Sequence, residues 1–137
     1  MPHLTFPTNV YLAAFFGALA TAFAALPLWR AWCSRIGLVD DPGHRKIHDT
    51  PIPLAGGLAV LTGLLVPLLA ATVVLKFQLL GEASAAPLTH GLSVRAWQLL
   101  AIAFGAAGMT VLGLVDDKFE LRPATKFTGQ LLIALLV

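Results

Sequence analysis

Charge is scarce in this chain. Of 137 residues only 12% are charged, nine Lys or Arg against seven Asp or Glu, and none of these falls before Arg30. With 58% hydrophobic residues and a mean hydropathy of +0.83, the composition excludes an ordinary water-soluble domain of this size. The net charge of +2 is carried by isolated residues beside apolar runs, not by a continuous basic stripe, which excludes a nucleic-acid-binding surface. Cysteine is almost absent. Cys33 stands alone, so no intrachain disulfide and no Cys-x-x-Cys metal site can form, and the residue reads as a small packed apolar side chain.

What the chain has in abundance is long uncharged runs. Residues 10–29, 54–75 and 97–115 are each long enough to cross about 30 Å of hydrocarbon as helix, and 127–137 is about half such a run. The expectation is an all-α, polytopic transmembrane helical bundle of three full spans and a truncated fourth, the N-terminal part of one integral-membrane domain. A cleaved signal peptide would carry its basic residues ahead of the apolar core, whereas Arg30 and Arg35 follow it. Trp29, Trp32 and Trp97 suit interfacial belts. Pro67 lies inside the second span, where it removes one backbone hydrogen bond and favours a kink. Residues 77–95 mix Gly, Ser, Pro, Thr and His90 with little periodicity and read as a connecting loop. Gly105, Gly108 and Gly113 are spaced to admit another helix closely.

The remaining charge is concentrated in two loops, 30–53 and 116–126. Arg30, Arg35, Arg45 and Lys46 lie in the first, and Lys118, Arg122 and Lys126 in the second, while the N-terminal tail has no Lys or Arg. The positive-inside bias puts both loops in the cytoplasm and the N-terminus outside, so that the two loops share one membrane face.

Each loop carries a candidate constellation. Asp116 and Asp117 are adjacent carboxylates ending an apolar run; their repulsion is relieved by lysines or by a divalent metal, and Mg²⁺ suits carboxylate oxygen shared with substrate phosphate. A solvated pair that merely ends a helix is the competing reading. Arg45, Lys46 and His48 lie within four positions and are able to converge on an anion, although headgroup contact would account for them equally. Gly56 and Gly57 admit a ligand or a helix close to the backbone, and Pro42, Pro51 and Pro53 stiffen the loop.

Taken together these stretches resemble a known family. The run D-D-P-G-H-R-K-I-H-D-T-P-I-P-L-A-G-G from Asp40 to Gly57 resembles the first cytoplasmic motif of the polyprenyl-phosphate N-acetylhexosamine-1-phosphate transferases, D-x-P-x-x-R-K-x-H-x-x-P-x-P-x-x-G-G, with every fixed position filled. The run from Gly113 to Gln130 is similar to that family's aspartate-pair motif, with Asp116, Asp117, Leu121, Lys126 and Gln130 on matching positions. The Arg-Lys-x-His form is closer to the branch that starts O-antigen, enterobacterial common antigen or teichoic acid than to the branch using a muramyl-pentapeptide nucleotide.

The resemblance implies transfer of a sugar-1-phosphate from a UDP-N-acetylhexosamine to undecaprenyl phosphate, releasing UMP, at the cytoplasmic side of the bacterial inner membrane. It implies Mg²⁺, with Mn²⁺ as the alternative ion, and Asp116 and Asp117 as catalytic residues, in the family assigned both to holding the metal and to deprotonating the lipid phosphate, of which the metal or positioning role is favoured here. It also implies a positive field from Arg45, Lys46, His48 and Lys126, and Asp40, Pro42, Pro51, Pro53, Gly56 and Gly57 as the residues that shape the loop. It leaves room for a homodimer. The family's later cytoplasmic loops, with a further aspartate and a histidine motif, have no counterpart among these residues, so the chain by itself is expected to be inactive. A channel or transporter piece would carry charges within its spans, a pure assembly partner would not need this cluster of His, Arg, Lys and Asp, and a prenyl synthase of the DDxxD type is excluded by D-D-K-F-E.

Overall fold

A computed structural model describes residues 8–40, 50–77 and 82–137, with only the backbone of 82–87. Five helices follow in order: α1 (Thr8–Ile36), α2 (Gly56–Lys76), α3 (Glu82–Val94), α4 (Ala96–Phe119) and α5 (Pro123–Leu136). At 1.5 Å per residue α1, α2 and α4 run about 43, 32 and 36 Å, enough to span a bilayer. The α3 segment falls where sequence suggested a loop: weak apolar periodicity and a Pro at position 87 hide a helix of 13 residues, about 20 Å long and too short to span. The helix assignment continues through Pro27 in α1 and Pro67 in α2.

Helix also continues past the point where charge begins. Arg30 and Arg35 lie on the last turns of α1, and Asp116 and Asp117 on the last turn of α4, so the onset of charge marks the edge of the apolar run and not the end of the helix. Among the described residues the buried hydrophobics are Ala25, Cys33, Ala55, Ala59 and Leu75, while Phe15, Phe23, Val60, Leu69, Phe104 and many others face outward. That inside-out distribution is expected where lipid is the solvent.

Small residues carry the helix contacts. A Cβ on Gly63 of α2 would stand 2.8 Å from the Ala18 carbonyl oxygen and 2.9 Å from the Ala22 Cβ, so α1 and α2 approach backbone to backbone. The Trp29 indole N–H donates to the Thr62 hydroxyl at 2.9 Å across the same seam, and that hydroxyl donates to the Leu58 carbonyl at 2.7 Å. On α4, Gly105 and Gly108 face Val137 and Ile133 of the α5 segment, and Leu112 fits against Gly129. Gly113 has nothing within 4 Å of a built Cβ and serves no such contact. Helix α2 is central, packing against α1, α3 and α4.

Helix α1 ends in a Schellman turn. Gly37 has φ +70, and the Leu38 N–H reaches back to the Cys33 carbonyl at 2.9 Å. The chain then enters a two-residue antiparallel ribbon, β1 (Val39–Asp40) with β2 (Ile52–Pro53), in which Val39 faces Pro53 and Asp40 faces Ile52. Leu54 locks the stem: its N–H donates to Leu38 at 3.1 Å, and its carbonyl accepts from the Cys33 thiol at 3.7 Å. Replacing Gly37 by Ala meets no steric neighbour, so its cost is the left-handed backbone alone, about 1 kcal/mol. A corresponding fall in the thermal midpoint in detergent is the expected result; an unchanged midpoint would show that the turn relaxes.

Candidate functional site

The ends of α1, α2, α4 and α5 that carry the polar residues come together, because the ribbon contacts both α1 and α4. Between the start of α2 and the end of α4 lies an open cleft of about 490 Å³, lined by Pro53, Leu54, Gly56, Gly57, Met109, Thr110, Gly113, Leu114 and Asp117. Three fixed positions of the first sequence motif, Pro53, Gly56 and Gly57, and one aspartate of the second therefore share one cavity. Gly56 and Gly57 open α2, whose N-cap residue Ala55 supplies no side-chain hydrogen bond, so the first-turn N–H groups and positive dipole end stand at this cleft.

Met109, Thr110, Gly113 and Leu114 were not singled out as site residues from sequence, although a signal existed. They lie eight, seven, four and three positions before Asp117, which is the spacing of one helical face. Gly113 belongs to this wall and not to a helix contact. Gly57 would bring a Cβ to 3.6 Å from the Thr110 methyl, ordinary contact, so its lack of a side chain leaves space in the cleft and relieves no clash.

The two aspartates have different surroundings. Asp116 is 16% exposed and accepts a hydrogen bond from the Lys126 ammonium at 2.5 Å. Lys126 reaches it because the chain reverses sharply after α4. Glu120 takes a left-handed conformation (φ 46, ψ 66) with its N–H on the Asp116 carbonyl at 2.8 Å, and Pro123 starts α5 behind Arg122. The Asp116 carboxylate holds the Lys126 ammonium above the usual lysine range, by its hydrogen bond first and its charge second, with a small contribution from Asp117. Asp117 is exposed and lines the cleft.

Carboxylates in the last turn of a helix oppose its dipole, so the placement of both at the end of α4 is offset only by cations. Lys126 is one such cation. The donor set also fits Mg²⁺, a hard ion that takes one or two carboxylates and completes its shell with phosphate and water. Among the described residues no group of three metal-ligating side chains occurs.

Pro51, Pro53, Gly56 and Gly57 lie on or next to the ribbon, and Asp40 is half-buried within it. Pro42, Arg45, Lys46 and His48 lie outside the described residues.

The chain is similar over most of its length to known bacterial enzymes. It is 30% identical over 126 residues, 92% of the chain, to a probable undecaprenyl-phosphate N-acetylglucosaminyl 1-phosphate transferase of Bacillus subtilis. It is 36% identical over 117 residues to the decaprenyl-phosphate N-acetylglucosaminephosphotransferase of Mycobacterium tuberculosis. To an undecaprenyl-phosphate alpha-N-acetylglucosaminyl 1-phosphate transferase of Pasteurella multocida it is 28% identical over 120 residues, and in both of these cases 85% of the chain is covered. The chain spans 26–30% of the length of these relatives. No family model matches the chain, and no solved structure does.

Proposed function

Because the chain belongs to the polyprenyl-phosphate N-acetylhexosamine-1-phosphate transferases, we propose that it serves the transfer of N-acetylglucosamine-1-phosphate from its UDP derivative to undecaprenyl phosphate. An oxygen of the lipid phosphate attacks the β-phosphorus of the nucleotide sugar, the bond from that phosphorus to the bridging oxygen breaks, and UMP leaves with the electron pair. The product is a polyprenyl-diphosphate sugar, the first intermediate of a cell-envelope glycan. The active end faces the cytoplasm, with the N-terminus of α1 across the membrane, as the distribution of Lys and Arg favours.

The observation that carries this reading is the cleft where Pro53, Gly56 and Gly57 meet Asp117. Two anions must be brought together there, so repulsion and positioning dominate the barrier. The opening turn of α2 offers N–H donors and a positive dipole end to a phosphate. Arg45, Lys46 and His48, which lie between the two strands in sequence, would add positive charge. Bound at the aspartate end of α4, where Asp117 lines the cleft, Mg²⁺ would neutralise developing charge on the phosphoryl oxygens. The lipid phosphate needs no general base for most of its population, since its second pKa near 6 leaves it largely ionised at pH 7.

The decisive test is an assay of membranes bearing the longest natural reading frame that contains this chain, supplied with radiolabelled UDP-N-acetylglucosamine and undecaprenyl phosphate. Label should pass to the organic phase with equimolar release of UMP, and should stop on chelation of divalent ions. Failure of label to reach the lipid while the protein is folded would overturn the reading.

A further inference from the structure

Neighbouring residues on a helix project about 100° apart, so Asp116 and Asp117 leave α4 on different faces. The residues of α4 that precede Asp116 by four, eight and eleven positions are Leu112, Gly108 and Gly105, and these are the ones that meet Gly129, Ile133 and Val137 of the α5 segment. Those that precede Asp117 by three, four, seven and eight line the cleft. Asp116 thus continues the stripe directed at α5, where Lys126 receives it, and Asp117 continues the stripe directed at the cleft.

We propose that Lys126 is a positioning residue that commits Asp116 to the α4–α5 elbow and withholds it from the ligand, leaving Asp117 as the one carboxylate of the pair presented to the cleft. This inference rests on the reading above only in taking the ligand to be a divalent cation carried with phosphate. Three features of the chain converge on the arrangement. The left-handed Glu120 reverses the backbone, Pro123 begins α5 at once, and Lys126 then lies one turn into α5, its N–H on the Arg122 carbonyl at 3.1 Å. A non-glycine residue in the left-handed region is held there by its surroundings; Glu120 is closed by its own N–H on the Asp116 carbonyl, and Lys126 bonds the carboxylate of that same residue. The pair is partly open to water on the lysine side, 45% exposed, so it is exchangeable and its removal leaves a carboxylate that solvent or a cation can reach.

The test reads Mn²⁺ binding by electron paramagnetic resonance, with the chain in nanodiscs and no nucleotide or lipid phosphate added. If Lys126 withholds Asp116, Lys126→Met releases a second carboxylate beside Asp117 and Mn²⁺ affinity rises about five- to ten-fold. Lys126→Arg keeps the charge and holds affinity near the starting value, and Asp116→Asn added to Lys126→Met cancels the gain. A lysine with a merely structural role would lower or leave unchanged the affinity when removed, and either result overturns the proposal. In parallel, a double-mutant cycle of Asp116→Asn and Lys126→Met on the thermal midpoint should be strongly non-additive, whereas Asp117→Asn with Lys126→Met should add; additivity in the first cycle overturns it too. Should Lys126→Met fail to fold, Lys126→Gln supplies the same readings. Weak binding by the unmodified chain still allows the gain to be read, and its absence counts against the proposal. None of these readings involves sugar-phosphate transfer, so the transferase reading stands or falls separately on its own assay.

Discussion

Changing Asp117 to Asn in the active enzyme is expected to lower the turnover of sugar-phosphate transfer by about 10²–10³-fold, the usual consequence of removing one electrostatic contact from the transition state. The substitution keeps the shape of the side chain and removes its charge. Since Asp117 is exposed and lines the cleft, the fold should be little affected and the thermal midpoint nearly constant. The loss should appear mainly in kcat, because charge on the phosphoryl oxygens develops as the bond to the leaving group breaks. Raising Mg²⁺ should recover part of the rate if the loss is in holding the ion. A fall of less than ten-fold, with protein folded, would remove Asp117 from the site.

The second large effect is on the fold. Gly63→Ala should destabilise the protein by about 1–3 kcal/mol, the common cost of forcing atoms into a filled contact. The obstacle is severe because it is backbone: the new methyl group would stand 2.8 Å from the Ala18 carbonyl oxygen, which cannot swing aside as a side-chain tip does. α1 must retreat from α2, and the Trp29–Thr62 hydrogen bond one residue away along α2 then stretches, adding a loss of about 0.6–2 kcal/mol. Unfolding titrations in mixed detergent micelles measure the sum. Trp29→Phe alone should reproduce only the smaller part, and equal effects of the two substitutions would show that the helices separate freely.

Much of this architecture is legible in the chain before any coordinates. Uncharged runs place α1, α2 and α4, because the hydrocarbon core imposes a length that periodicity need not supply. The motifs from Asp40 to Gly57 and from Gly113 to Gln130 identify the family, and the similarity to its bacterial members agrees. What sequence leaves hidden is local and geometric. Helix α3 escapes because 13 residues of mixed polarity carry no strong pattern. The division between Asp116 and Asp117 escapes because two identical letters side by side look equivalent, and only the rotation of the helix, read against Gly105, Gly108 and Leu112 on one side and Met109, Thr110 and Gly113 on the other, separates them. In sequence Lys126 is one of several charges able to face phosphate; its bond to Asp116 depends on the reversal at Glu120, a residue whose left-handed backbone nothing in its type announces.

The ribbon at Val39–Asp40 and Ile52–Pro53 also bears on how such a chain tolerates change. Leu38 and Leu54 are tied backbone to backbone, so the ends of everything between them are fixed whatever lies at the tip. Closing a somewhat longer excursion costs little, about 0.6 kcal/mol for each doubling of its length. By that measure a change of length between positions 41 and 51 alters the closure cost little, while the first motif constrains which residues stand there. The stem works as a clasp, setting where the chain leaves α1 and where it enters α2.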